Sequence, residues 1–158
     1  IVHRLDRDTS GVMVFARHQR HKEYLQEQFA QRAVHRTYHA LVEGRPKQKQ
    51  GTAREWLVED KNLFVKRVKS TFHGSKEAIT HWEVIDTDNH TSVLQITIET
   101  GRRHQIRIGI KPNRCIFPVL ASFFLKLRHP IQPAKARCTV EYPRQFSMLW
   151  DAGLVKHD

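Results

Sequence analysis

From Ser92 to Glu99 the chain alternates with period two, placing Leu94, Ile96 and Ile98 on one face and Gln95, Thr97 and Glu99 on the other. Such a segment has no helical stripe to bury, so it needs a sheet with one covered face. Thr100-Gly101 breaks the pattern, and Arg102–Ile108 can open a helix. Thr37–Glu43 repeats the period-two signal with Tyr38, Ala40 and Val42 on one face, and Gly44-Arg45-Pro46 ends it. Further strands are predicted at Thr52–Val58, Phe64–Val68 and Glu77–Ile85, the last containing Trp82. Loops are expected at Lys47–Gly51 and around His73-Gly74-Ser75, and a turn at Asp86–His90. Val12–Ala16 is a continuous apolar run after Gly11 and reads as a strand covered on both faces. Leu25 and Phe29, flanked by Glu23, Gln26, Glu27 and Gln28, predict an amphipathic helix over about His18–Ala33. Strands and helices without regular alternation predict an α+β domain with a mixed, mainly antiparallel sheet and flanking helices.

After Ile110 the pattern changes. Pro112, Pro118, Pro130, Pro133 and Pro143 punctuate a segment with no sustained period. One domain is the default for 158 residues, and the change of character divides it at 1–109 and 110–158.

Lys and Arg number 27 against 16 Asp and Glu, a formal net charge of +11. That balance favours a polyanionic partner, because cations that neutralise phosphates release condensed counterions; a solvated basic surface is the alternative. Cys115 and Cys138 form neither a metal-spaced cluster nor a disulfide framework, which fits a reducing, cytoplasmic setting. The most apolar stretch, Cys115–Leu127, is too short to span a membrane and contains Pro118. Asn89-His90-Thr91 fits a glycosylation sequon but stands alone as a sign of secretion. A start at Ile1 is expected for a chain cut from a longer one.

Three stretches carry chemistry. In His3-Arg4-Leu5-Asp6-Arg7-Asp8-Thr9-Ser10-Gly11, arginines flank a carboxylate and would hold it ionised. Taken alone, the same residues read more readily as a turn, since Asp8, Thr9 and Ser10 cap locally. In Arg36-Thr37-Tyr38-His39-Ala40-Leu41-Val42-Glu43-Gly44, Tyr38 sits among apolar neighbours, where a tyrosine is more often core than site. In Gly101-Arg102-Arg103-His104-Gln105-Ile106-Arg107, arginines after a glycine at a helix start suit an anion site or a solvated face equally.

Together, HRLDRDTSG, RTYHALVEG and TGRRHQIR resemble, in order and separation, the three motifs of the RluA family of RNA pseudouridine synthases. The segment between them, including Ala78–Val84, is also similar to that family, and the resemblance runs from Ile1 to about Ile108. It implies a pseudouridine synthase-like catalytic core that isomerises specific uridines in structured RNA, ribosomal RNA being favoured over transfer RNA. Asp6 matches the catalytic aspartate, proposed to attack either the sugar's anomeric carbon or the base. The glycosidic bond breaks, the uracil turns, and it rejoins through carbon 5. Arg107 matches the arginine that pairs with this aspartate. Tyr38 matches the aromatic that stacks on the target base and can assist proton removal at carbon 5. The uridine must leave its stack, and Arg4 matches a residue that fills the gap. Arg7, Arg102 and Arg103, with the basic stretches Arg17–Lys22 and Lys66–Lys69, would hold phosphates. Substrate and product are isomers, so no cofactor is expected.

Eleven histidines invite a metal reading, with His18/His21 and His35/His39 at tempting spacings. Four residues along a strand is a reach of roughly 13 Å, HExxH is absent and no cysteine joins them, so no metal is expected. The expected partner is RNA, ribosomal or transfer, with no membrane, and the chain is expected to be a monomer.

Two departures from the family bear on activity. Almost nothing precedes His3, and after Arg107 the family's histidine and Gly-His-Pro segment do not follow; His129-Pro130 echoes the latter out of context. An incomplete core exposes sheet edges and apolar faces, so marginal stability and weak activity are expected of the isolated chain. A catalytically inactive RNA-binding fragment, or the product of a truncated gene, is the competing reading.

Overall fold

The computed structural model describes residues 1–6, 9–110, 120–128 and 135–139. Its elements run β1 (Thr9–Gly11), α1 (Gln19–Ala30), β2 (His35–Glu43), β3 (Gln50–Glu59), β4 (Val65–Val68), β5 (Lys76–Thr87), β6 (Thr91–Ile98), α2 (Gln105–Gly109), β7 (Leu120–Arg128) and β8 (Lys135–Thr139). They form two compact units, residues 1–39 with 118–158, and residues 40–117. The chain passes from one to the other within β2.

In the first unit β1 runs parallel to β7, with Thr9 opposite Leu120, and β7 pairs antiparallel with β8. Both β7 and β8 lie in the stretch whose sequence shows no sustained period. The core of this unit is a small cluster of Val2, Val12, Leu25 and Val34, with Val14, Ala16 and Phe29 packed against it. Helix α1 therefore buries the expected Leu25 and half-buries Phe29, and Gln28, expected on the polar flank, is buried as well. It stops at Ala30, short of the expected Ala33, because the chain turns left-handed at Arg32 (φ 58°). Ala33 N–H then donates to Gln28 O and Arg32 N–H to Phe29 O, satisfying the last carbonyls in a Schellman turn.

The expected strand at Val12–Ala16 does not form; the strand there is Thr9–Gly11. Val12 and Val14 feed the small cluster, but Phe15 is 62% exposed and Val14 N–H is taken by the His3 ring instead of a ladder carbonyl. The apolar run thus reflects side-chain packing onto a helix, a use that local composition does not separate from a strand.

The second unit is a five-stranded sheet in the order β2-β6-β5-β3-β4, antiparallel at β5–β6, β3–β5 and β3–β4. The end of β2 is tied to the start of β6, with Gly44 N–H donating to His90 O and Ser92 Oγ to Gly44 O. The core centres on Ala40, Val42, Ala78, Leu94 and Ile96, all almost wholly buried. Leu94 and Ile96 face inward as predicted, but Ser92 and Val93 are buried too. A bulge in β5 between Val84 and Asp86 shifts the register, leaving Ile85 exposed and setting Asp86 opposite Val93. Ser92 is satisfied in the interior by Gly44 O and by Thr87 Oγ1 at 3.0 Å. The other strands fall where expected, except that β3 starts at Gln50, inside the predicted loop, and β5 continues to Thr87, inside the predicted turn. Helix α2 begins three residues later than Arg102, and Gly109 brings it onto β3 and β5, close to Ala53 and Thr80.

Candidate active site

The candidate site residues fall in both units. The first holds Arg4, Asp6 and Tyr38; the second holds Arg102, Arg103 and Arg107. Arg7 and its neighbour Asp8 lie outside the described residues.

The segment Ile1–Asp6 is irregular, and Val2 and His3 anchor it. Val2 is buried in the apolar cluster. The His3 ring stacks on Phe29, with centroids 4.7 Å apart and planes inclined by 20°, and its Nε2 accepts Val14 N–H at 3.1 Å. The Arg36 guanidinium lies 5.7 Å from the centre of the same Phe29 ring. Burial, and then the charge of Arg36, push the His3 pKa below its ordinary value of 6.5, against a smaller opposing contribution from the Arg4 backbone. An imidazole so placed is neutral, and Nε2 is its accepting nitrogen. Beyond it Arg4 is exposed and Asp6 half-buried, and Thr9 N–H donates to Asp6 O at 2.9 Å. The expected turn at Asp8–Ser10 includes Asp8 and so lies partly outside the described residues.

Tyr38 is buried on β2, as an aromatic among apolar neighbours should be. The strand is covered on both faces from Tyr38 to Val42, so His39 and Leu41 are buried alongside the expected Tyr38, Ala40 and Val42. Arg36 is half-buried, and its Nε has no hydrogen-bond partner among the described residues. His35 and His39 lie on this strand, and His18 and His21 meet edge to face, 5.4 Å between centroids. Among the described residues no three His, Cys, Asp or Glu side chains converge as a metal site would require.

The third motif is organised by a residue that its arginines overshadow in the sequence. Gln105 is buried, and its amide is fully engaged. Oε1 accepts from Thr100 Oγ1 at 2.7 Å and from Arg102 N–H at 3.0 Å. Nε2 donates to Ile79 O at 2.9 Å and to Thr80 Oγ1 at 3.0 Å. Thr100 Oγ1 in turn accepts Ile79 N–H at 3.0 Å. These bonds tie the turn after β6 to β5 and hold His104 in the left-handed region (φ 54°) that launches α2. Arg107 is half-buried on that short helix, in its last turn, where a cation is favoured. Arg102 Nε donates to Glu77 O at 3.1 Å. Arg103 pairs with Glu59 at 3.1 Å and reaches Leu63 O at 3.4 Å, which links the motif to the β3–β4 turn. A polar groove on the same sheet, lined by Thr52, His81, Glu83 and Thr97, holds none of the motif residues.

Gln105 and His3 are the positions that the sequence alone does not single out. Both are polar residues inside motifs, and only their burial reveals what they do.

Comparison with known proteins bears on the whole arrangement. The family model described as RNA pseudouridylate synthase matches residues 1–111. An RNA pseudouridine synthase of Bacillus subtilis, YhcT, is 38% identical over 111 residues, covering 69% of this chain and 36% of that protein. The ribosomal large subunit pseudouridine synthase D of Zymomonas mobilis is 34% identical over 108 residues, covering 68% of this chain and 34% of that protein. The chain spans 34% to 49% of the length of the first curated relatives it matches. Among solved structures, human RNA pseudouridylate synthase domain containing 4 superposes with a TM-score of 0.78 at 20% identity, covering 99% of this chain and 77% of that one. Human RNA pseudouridylate synthase domain containing 1 gives 0.77 at 19%. At that identity the two structures establish the fold, and the fold, the motifs and the family match agree: this chain belongs to the RNA pseudouridylate synthase family.

Proposed function

We propose that this protein converts uridine to pseudouridine in structured RNA, with Asp6 as the nucleophile. The observation that carries the reading is the family match over residues 1–111, which contains all three motifs and so Asp6, Tyr38 and Arg107. Attack by the Asp6 carboxylate, at the anomeric carbon or on the base, accompanies cleavage of the glycosidic bond. The detached uracil turns and rejoins the sugar through carbon 5 as the bond to Asp6 breaks and the carboxylate is released; carbon 5 then loses its proton while nitrogen 1 gains one. Tyr38 stacks on the base and assists that proton transfer, and Arg107 is the cation of the proposed catalytic set. The reaction is an isomerisation, and its atoms and electrons balance without a redox partner.

The net charge of +11 supports RNA as the partner. Exposed Arg4 is available to enter the gap that a flipped uridine leaves. Arg102 and Arg103 are engaged with Glu77 O and Glu59, so they contribute to the phosphate field from fixed positions. Ribosomal RNA is the favoured target, supported by the similarity to the ribosomal large subunit pseudouridine synthase D of Zymomonas mobilis. A cytoplasmic monomer completes the proposal.

Pseudouridine mapping of total RNA tests it, comparing cells that carry the gene with cells that carry its Asp6→Asn version. The reading expects at least one position, in ribosomal RNA, to lose pseudouridine in the variant. Unchanged maps, with RNA crosslinking retained by both proteins, would replace it with RNA binding without catalysis.

A further inference from the structure

We infer that His3 is a positioning residue for the Asp6 loop: its imidazole, stacked on Phe29, accepts Val14 N–H and so fixes where the chain begins its approach to Asp6. The inference rests on the assignment of Asp6 as the nucleophile.

The segment before Asp6 belongs to no helix or strand, so no backbone ladder sets its path. Val2 contributes apolar burial, which is non-directional and tolerates sliding. The His3 ring does not. Its stacking on Phe29 sets the ring plane, and Nε2 at 3.1 Å from Val14 N sets its rotation within that plane. The bond also joins two irregular segments eleven residues apart, Ile1–Asp6 and Val12–Ala16, neither of which has its own ladder there. On the far side of the nucleophile, Thr9 N–H closes a turn on Asp6 O. Asp6 thus lies between the His3 tether and the backbone bond from Thr9. The acceptor role requires a neutral ring, which burial and the nearby Arg36 guanidinium favour.

Two substitutions separate the parts of this device. His3→Phe keeps a ring to stack on Phe29 but removes the acceptor, and His3→Gln keeps an acceptor at about the reach of Nε2 but removes the ring. RNA from the Asp6→Asn cells supplies unmodified substrate for single-turnover assays with each purified protein. A nucleophile displaced by about 1 Å loses up to roughly a hundredfold in rate. His3→Phe is therefore expected to slow the single-turnover rate at least about tenfold with RNA affinity unchanged, and His3→Gln to recover most of the loss. Hydrogen exchange at the Val14 amide is expected to accelerate in His3→Phe and to stay slow in His3→Gln. In the wild-type protein, nitrogen NMR should show Nε2 as the unprotonated nitrogen. An unaltered rate in His3→Phe overturns the inference, as does a loss that His3→Gln fails to restore. A Val14 amide indifferent to both substitutions, or a protonated Nε2, overturns the tether even if no activity is measured. By contrast, wild-type and Asp6→Asn proteins of equal activity would refute the nucleophile assignment and leave the amide result standing.

Discussion

Around Gln105 every hydrogen-bonding position of one buried amide is filled, and Thr100 extends the network to the backbone of β5. Between Ile1 and Asp6 there is no ladder, and the contacts that hold the chain include Val2, the His3 ring and the bond from Thr9 N–H to Asp6 O. The two regions carry different parts of the proposed chemistry, the cation Arg107 in one and the nucleophile Asp6 in the other. The first is fixed by a saturated polar network on a five-stranded sheet, so it should move only when that sheet unfolds. The second is fixed by a few side-chain contacts beside a small cluster, which makes the nucleophile loop more sensitive to single substitutions in function than in stability.

The largest stability effect should come from the sheet that supports the third motif. Ile96 is wholly buried there, and Ile96→Ala should cost about 3–4 kcal/mol in chemical denaturation. A cost below about 1 kcal/mol would mean that the sheet is not the rigid side of the comparison. Gln105→Leu removes the polar hub and leaves Arg102 N–H and the Thr80 and Thr100 hydroxyls each short of a partner, while Ile79 O keeps Glu99 N–H. It should cost about 2–3 kcal/mol, measured the same way. If the loss is instead negligible, the network is not what holds the turn.

Smaller effects are expected in the first unit. Arg32 occupies the left-handed position that ends α1, with φ 58°, where an L side chain is disfavoured. Arg32→Gly should therefore stabilise the protein by about 0.5–1 kcal/mol, seen as a raised thermal midpoint. The smallest effect is the pH dependence due to His3. Its pKa is lowered on folding, so the unfolded chain binds the proton more readily. That contribution to stability is present above 6.5 and is lost as pH falls from 6.5 through the lower folded value. Arg36 is the charged group facing the ring, and it acts in the same direction. The wild type should lose more stability on acidification than His3→Gln; parallel curves would remove His3 from the account.

Much of the second unit was legible because period-two strands state their own register. Leu94 and Ile96 face inward as the alternation requires, with Ser92 buried in phase with them; Val93 is buried out of phase, opposite Asp86 just beyond the bulge at Ile85, which has no sequence marker. The first unit was less legible. The run Val12–Ala16 reads as a strand, yet its amide partner is a histidine ring eleven residues away, a non-local bond that no local pattern encodes. Strands β7 and β8 pair with segments distant in sequence or with each other, in a stretch broken by prolines, so their period is masked. The motifs made Asp6, Tyr38 and Arg107 visible, but not what supports them. His3 and Gln105 read as ordinary polar residues until burial shows that each is engaged.

The central claim is that Asp6 is needed for chemistry and not for the fold. It is tested most directly by tritium release from RNA labelled at carbon 5 of uridine, using the protein expressed from its complete gene and its Asp6→Asn variant. The substrate is RNA made in Asp6→Asn cells, and thermal midpoints are recorded in parallel. Release by the wild type is expected in step with new pseudouridine, with none above background from Asp6→Asn and matching midpoints. Equal release by both proteins, or none by either, would contradict the claim.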